Sequence, residues 1–320
     1  MRNSLAEERG WLIPVAVLAS IELAIWLAGW SAGAVPLPMT TTYIAVAAAA
    51  LAIALGLRPL WRHGEPRATW PVMILGVVLV GLSASLFMAL KFAIPSLVPF
   101  WLDAPLAAGE AGLFGTDPYQ LLNTVFGRVT LVVDRAYAFW LPVQLVVLFS
   151  VLSASPSQAK SRALTAYAAA WLLIGIVTAA LMSSAGPIFF DREFGVARFA
   201  PLHQMLGSHG ASMVLSTSDA MWSAYTSGQY RLVAGISAAP SMHVAISMWI
   251  FLIARQLAPR AVPLAAAYLA FIWIASVQLG WHYVTDGLVG IAGMMAVWWL
   301  TGRTVSRLHP HSRPGSAPAP

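Results

Sequence analysis

The sequence predicts an all-α fold: a polytopic transmembrane helical bundle of about eight spans, with amphipathic helices at its surface. Three observations predict it. Hydrophobic residues make up 59% of the 320 and charged residues only 9%, against about 25% charged in a soluble domain. Apolar runs approaching the ~20 residues that cross a bilayer recur along the chain. The bases lie scattered in the short connections between those runs, the pattern of membrane orientation rather than of a nucleic-acid patch. The net charge of +6 therefore implies no nucleic acid, which we exclude as a partner. With no cysteine there is no disulfide framework, thiolate chemistry or cysteine metal site.

The first apolar run spans about Trp11 to Trp30 and is longer than a signal-peptide core, so it reads as a retained span. Glu22 lies inside it and requires a partner. The second run, about Thr40 to Leu57, is alanine-rich, which suits close helix packing, and leads into Arg58, Arg62 and Arg67. The third, about Pro71 to Leu90, carries Gly76 and Gly81 and ends at Lys91. From Ile94 to Asp134 the chain is more polar, with Asp103, Glu110, Asp117 and several prolines between apolar residues. Short amphipathic helices at the membrane surface are expected there, shielding a site or admitting lipid.

A fourth run covers about Tyr137 to Leu152, and Lys160 and Arg162 precede the fifth, about Ala163 to Met182. The longest polar stretch, Ser183 to Ala239, holds Arg192, Arg198, His203, His209, Asp219 and Arg231. It can supply cations and polar contacts to an anionic ligand and its head group, and the bland alternative is a solvated loop. The sixth run begins at Ser241 and ends near Arg255, the seventh is Pro263 to Gly280, and the eighth runs from about His282 to Arg303. No fixed-period repeat is visible. Three regions follow: 1–69, two spans and a cytoplasmic loop; 70–302, a membrane catalytic domain; and 303–320, a proline-rich tail expected to be disordered.

Eight spans put both termini on one side. On that side lie Arg2, Arg9, Arg58, Arg62, Arg67, Lys160, Arg162, Arg255, Arg260, Arg303, Arg307 and Arg313; opposite lie Lys91, Arg128, Arg135, Arg192, Arg198 and Arg231. Twelve bases against six predict cytoplasmic termini. His243, His282, Asp286 and the loop of Arg192 then share the opposite face, periplasmic or luminal. We expect a bacterial inner-membrane protein with its site on the periplasmic side.

Two stretches on that face carry the chemistry. In Leu279-Gly280-Trp281-His282-Tyr283-Val284-Thr285-Asp286, His282 and Asp286 are four apart and share a face if the stretch is helical. A carboxylate there can take the proton on one imidazole nitrogen and free the other to attack an electrophile. In Pro240-Ser241-Met242-His243, Ser241 suits a helix N-cap, and the first-turn N–H groups favour an anion. Two histidines so placed are what phosphoryl transfer through phosphohistidine requires, one attacking and one protonating the leaving oxygen. The bland alternative is a histidine at a buried helix end with a structural acid nearby.

These residues resemble a family. Pro240-Ser241-Met242-His243 is similar to the second signature of the type 2 phosphatidic acid phosphatase superfamily, and Leu279 to Asp286 is similar to the third. Met242, Gly280-Trp281-His282-Tyr283 and Gly186-Pro187 resemble the inositolphosphotransferase branch, which includes inositol phosphorylceramide synthase; Ile94 to Trp140 has the look of its bacterial members. The resemblance covers about residues 70 to 302. It implies that His282 becomes phosphohistidine, Asp286 orients it, His243 protonates the departing alcohol, and Ser241 with the local backbone holds the phosphoryl oxygens. The first signature, a lysine and a distant Arg-Pro, is not found after the fifth run, and Ser276 replaces the arginine expected before His282. Arg192, Arg198 or Arg231 must then neutralise the phosphate, and Arg192 is the expected choice because it follows the fifth span most closely.

Three function classes remain at this level. The first is an integral membrane lipid phosphotransferase that moves a phosphorylated group from a membrane lipid to a lipid or polyol hydroxyl acceptor. The second is a lipid or polyprenyl phosphate phosphatase with water as acceptor. The third, a transporter with intramembrane histidines, finds no broken-helix pair or inverted repeat to support it. No cofactor is expected, and the spacing of His203, His209, His243 and His282 matches no metal signature.

Overall fold

The computed structural model describes residues 2–57, 68–232 and 234–308, and these form helices and connecting loops. The helices are α1 (Arg2–Glu7), α2 (Arg9–Ser31), α3 (Thr40–Leu57), α4 (Trp70–Leu97), α5 (Asp103–Phe114), α6 (Pro118–Phe126), α7 (Thr130–Ala138) and α8 (Trp140–Leu152). There follow α9 (Gln158–Leu172), a π-helical turn (Leu173–Thr178) running into α10 (Ala179–Leu181), then α11 (Pro187–Phe194), α12 (Ala200–Ser208) and α13 (Ser212–Ser227). The chain closes with α14 (Met242–Leu257), α15 (Val262–Gln278) and α16 (Val284–Leu308).

Among the described residues, seven helical stretches are long and apolar enough to cross a membrane: α2, α3, α4, Pro118–Leu152, Gln158–Leu181, Pro259–Gln278 and Val284–Val305. The remaining expected span, α14, is apolar but shorter, about 24 Å at 1.5 Å per residue. It is the innermost helix, with Val244, Ala245, Ile246 and Trp249 fully buried, and it packs against α9, α15 and α16. The chain is thus an integral membrane helical bundle. Its lipid-facing helices show the expected inversion, with large apolar residues such as Ile13, Ile53, Ile74 and Leu264 exposed.

Several expectations are corrected. Helix α4 does not end at Lys91 but continues through Pro95 to Leu97, because Lys91 turns toward a cavity and marks no boundary. The stretch Ser183 to Ala239 is not a solvated loop. It contains α11, α12 and α13, whose apolar residues Ile188, Phe189, Leu202, Leu206 and Val214 are buried under the cap they form. The last helix continues past Arg303 to Leu308. The expectations for the Arg58–Arg67 loop and for the tail beyond residue 308 fall outside the described residues. Glu22, buried in α2, is met by the Ser83 side chain of α4.

At the end of the bundle that carries the N-terminus, Lys160 donates to Glu8 and to the Ala154 carbonyl, and Trp11 Nε1 donates to Glu8 as well. Lys160 and Glu8 are 1% and 2% exposed. Arg162 donates to the Trp298 carbonyl from the same end. The ends of α4, α10 and α15 and the starts of α14 and α16 gather at the opposite end.

Candidate active site

Three backbone segments meet at that opposite end. The Ala238 N–H donates to Ser184 O (2.7 Å), Ile188 N–H to Gly280 O (2.8 Å) and Ser241 N–H to Asp286 O (3.0 Å). Their contact is close enough to demand glycine. At Gly186, φ is +91° and a Cβ would lie 2.6 Å from the Trp281 carbonyl oxygen; at Gly290, a Cβ would lie 2.6 Å from the Ser241 carbonyl oxygen.

Three acids of the chain hold this junction, and two of them come from the segment expected merely to shield it; a third acid of that segment, Asp134, holds α13. Asp103 accepts from Ala185 N–H, Gly186 N–H, the Ser184 hydroxyl and the Tyr283 hydroxyl, at 2.8 to 3.2 Å. Burial, reinforced by the charges of Asp103 and Asp286, pushes the Tyr283 hydroxyl far up, so it stays a donor. Glu110 accepts from Val284 N–H, Thr285 N–H and the Thr285 hydroxyl, satisfying the first free donors of α16. Asp134 does the same for Met213 and Val214 at the start of α13. Asp286 completes the set by accepting from Tyr283 N–H (2.9 Å), in the manner of the carboxylate of a capping box. Sequence reading left Asp103, Glu110 and Asp134 without roles; the available signal was Asp103 and Glu110 seven apart, on one helix face in an otherwise apolar stretch.

His282 is not in a helix. It occupies the turn before α16, where Ser276 O accepts from Trp281 N–H (2.9 Å) and His282 N–H (3.2 Å). These bonds use the backbone of residue 276, while the serine hydroxyl that stands where the resemblance expected an arginine donates to the Trp273 carbonyl. Nδ1 of His282 lies 2.8 Å from Ala238 O and 3.5 Å from Asp286 Oδ2. Both neighbours are acceptors, so Nδ1 carries the proton and Nε2 keeps its lone pair. The expected His282–Asp286 pairing is therefore present, but through a helix start rather than a shared helix face, and the nearer acceptor is a backbone carbonyl.

His243 is the second residue of α14. The Ser241 hydroxyl caps that helix as expected, accepting from Val244 N–H at 3.3 Å. The His243 ring stacks on Tyr137 and leans on Trp140, with centroids 5.1 and 4.1 Å away. The His243 and His282 rings lie 5.8 Å apart between centroids. Two motifs separated by the whole of α14 and α15 thus form one site.

Both imidazoles line a cavity of about 500 Å³. Its walls include Lys91, Phe87 and Gly76 of α4, Trp140 and Gln144 of α8, Tyr167 and Trp171 of α9, and Trp11 of α2. Gly76 and Lys91 are about 22 Å apart along α4 at 1.5 Å per residue, so the cavity follows much of the bundle's depth. Met213, Thr217 and Met221 of α13 line it as well. Val46, Leu141 and Leu232 line it yet are 40%, 48% and 44% exposed. They mark an apolar mouth between α3, α8 and the loop before α14.

The other expected phosphate ligands lie elsewhere. Ser241 is fully buried with its oxygen engaged as a cap. Arg192 pairs with Asp219, Arg198 binds Asp117 and the Ala107 carbonyl, and Arg231 binds Gln229. None of the four lines the cavity. His203 and His209 do not line it either, and His209 Nδ1–H donates to Met205 O (2.8 Å). No cluster of His, Asp and Glu able to hold a metal ion occurs among the described residues.

No curated protein and no solved structure matches the chain. The family model of the PAP2 superfamily matches residues 113–300, more than half of the chain, with both motif histidines inside the match. The chain belongs to the PAP2 superfamily.

Proposed function

We propose that this protein is a membrane lipid phosphotransferase working through a phosphohistidine at His282. The carrying observation is that the two motif histidines face each other at the head of an apolar cavity that opens sideways among lipid-facing residues. His282 Nε2 attacks the phosphorus of a lipid phosphoester, forming the P–N bond as the bond to the departing alcohol breaks. Protonated His243 gives its proton to that alcohol oxygen. In the second half His243 takes the proton of an acceptor hydroxyl, whose oxygen attacks phosphorus and releases His282. The Ala238 carbonyl and Asp286 stabilise the Nδ1–H side of the ring throughout.

Transfer to a hydroxyl is favoured over hydrolysis because α13 and the Phe189–Trp281 contact cover the site, leaving His282 6% exposed. The motif wording within the family points to the inositolphosphotransferase branch. The charge asymmetry supports a bacterial inner membrane with the site on the periplasmic side and the termini in the cytoplasm. The test is to incubate purified protein in vesicles with phospholipid labelled in its phosphate, with and without lipid and polyol acceptors. Acceptor-dependent label in a new lipid or polyol phosphate is expected. Label released only to water makes the protein a phosphatase, and no cleavage of any phosphoester overturns both.

A further inference from the structure

The cavity contains two histidines suited to phosphoryl transfer, but none of the arginines expected to neutralise phosphate. Lys91 lines it instead, together with His243 and His282. Its place in α4 is about 9 Å below the helix end at Leu97, at 1.5 Å per residue. The loop that supplies the Ala238 carbonyl rests on it. A Cβ at Gly235 would stand 3.2 Å from the Lys91 carbonyl carbon and from Cγ, and Gly235 has φ +90°.

Among the described residues, the Lys91 ammonium has no ion-pair or hydrogen-bond partner, whereas Lys160, Arg192 and Arg198 each have a carboxylate. Asp134 is the one carboxylate among the described lining residues, and both its oxygens are taken by Met213 and Val214 N–H groups. A lone ammonium inside a membrane helix is costly unless something supplies a counter-charge. A phosphate placed for attack by His282 would bring the missing counter-charge into the cavity that Lys91 shares with both histidines.

We propose that Lys91 is the substrate-binding cation of this site, its ammonium holding the phosphoryl oxygens of a phosphoester between the two imidazoles. The proposal rests on the phosphotransfer reading and deepens it. A compact ammonium on a flexible stem acts as a point charge, so an arginine keeping the charge replaces it in part, and a neutral chain of similar length does not.

The experiment compares wild type, Lys91→Met and Lys91→Arg, with inorganic phosphate and orthovanadate as probes. Stabilisation against heat by each probe reports binding without requiring turnover. In Lys91→Met we expect stabilisation by either probe to be lost and kcat/KM to fall a hundredfold or more, while the unliganded protein melts no lower than wild type because an unpaired charge has left the membrane interior. Lys91→Arg retains probe binding and recovers at least a tenth of the activity, a rescue that a merely structural role would not show. His282→Ala separates the two levels. If that variant still binds phosphate and Lys91→Met does not, Lys91 is the cation whatever reaction the site performs. Unchanged probe binding and kcat/KM in Lys91→Met, or no probe binding by wild type, overturns the proposal.

Discussion

His282 is held first by a backbone carbonyl at 2.8 Å and only then by Asp286 at 3.5 Å, and this order sets what each substitution does. Under the proposed mechanism, His282→Ala removes the nucleophile and should abolish turnover. His243→Ala loses proton transfer and lowers kcat by about 10²–10⁴-fold, with the fold intact in both, as thermal melts would confirm. Asp286→Asn is milder: Ala238 O still fixes the tautomer, and the asparagine oxygen can still accept from Tyr283 N–H. We expect measurable residual kcat, well above that of His282→Ala, and equal loss in the two variants would show that the carboxylate charge is indispensable. Arg192, chosen from sequence for its closeness to the fifth span, pairs at the surface with Asp219, the two being 31% and 63% exposed. Arg192→Ala should therefore leave kcat/KM within about threefold, since exposed pairs contribute about 0–1 kcal/mol. The motif histidines were legible because their residue types and spacing are local. Lys91, the cation we propose for the phosphate, was not, because closeness to a span end along the chain does not determine which side chains line the same cavity.

At the scale of elements, the buried acids decide how firmly the site is built. Glu110 satisfies the first donors of α16, the helix that carries Asp286. Glu110→Ala should lower stability by about 0.5–2 kcal/mol, the range for losing a helix cap, and lower kcat more than it raises KM, because the start of α16 frays. At the other end, Glu8→Ala leaves Lys160 buried without its carboxylate and should cost about 3–5 kcal/mol. The double substitution of Glu8→Leu with Lys160→Met should recover much of that; thermal melts in detergent read both. The spans themselves were legible, since lipid selects continuous apolar length, and Thr40–Leu57 coincides with the expected run. Helices α11 to α13 were not, because each buries only a narrow apolar face within a polar composition. Lys91 was misread as a helix end, since a charge that faces a cavity looks in sequence like one that faces water.

For the whole molecule, the cavity joins regions that the sequence divided. Trp11, Val15, Tyr43, Val46 and the α4 residues lie outside the matched residues 113–300 yet line the same space as the histidines. The N-terminal spans therefore contribute walls to the cavity that the histidines line. The twelve-to-six distribution of bases predicts cytoplasmic termini and a periplasmic site. In this cysteine-free chain, a cysteine at exposed Ser208 should react with an impermeant thiol reagent from the periplasmic side, and one at exposed Gln158 should be shielded. The reverse pattern would place the chemistry in the cytoplasm.

The most direct test is to trap the covalent intermediate. Purified protein is mixed with phospholipid carrying a labelled phosphate in the absence of acceptor, quenched in alkali, and the site of label is mapped by peptide mass spectrometry. The account predicts an acid-labile, alkali-stable phosphoryl group on His282, absent from His282→Ala and discharged when a hydroxyl acceptor is added. Label on any other residue, or turnover by wild type with no covalent label under single-turnover conditions that resolve it, would contradict the account.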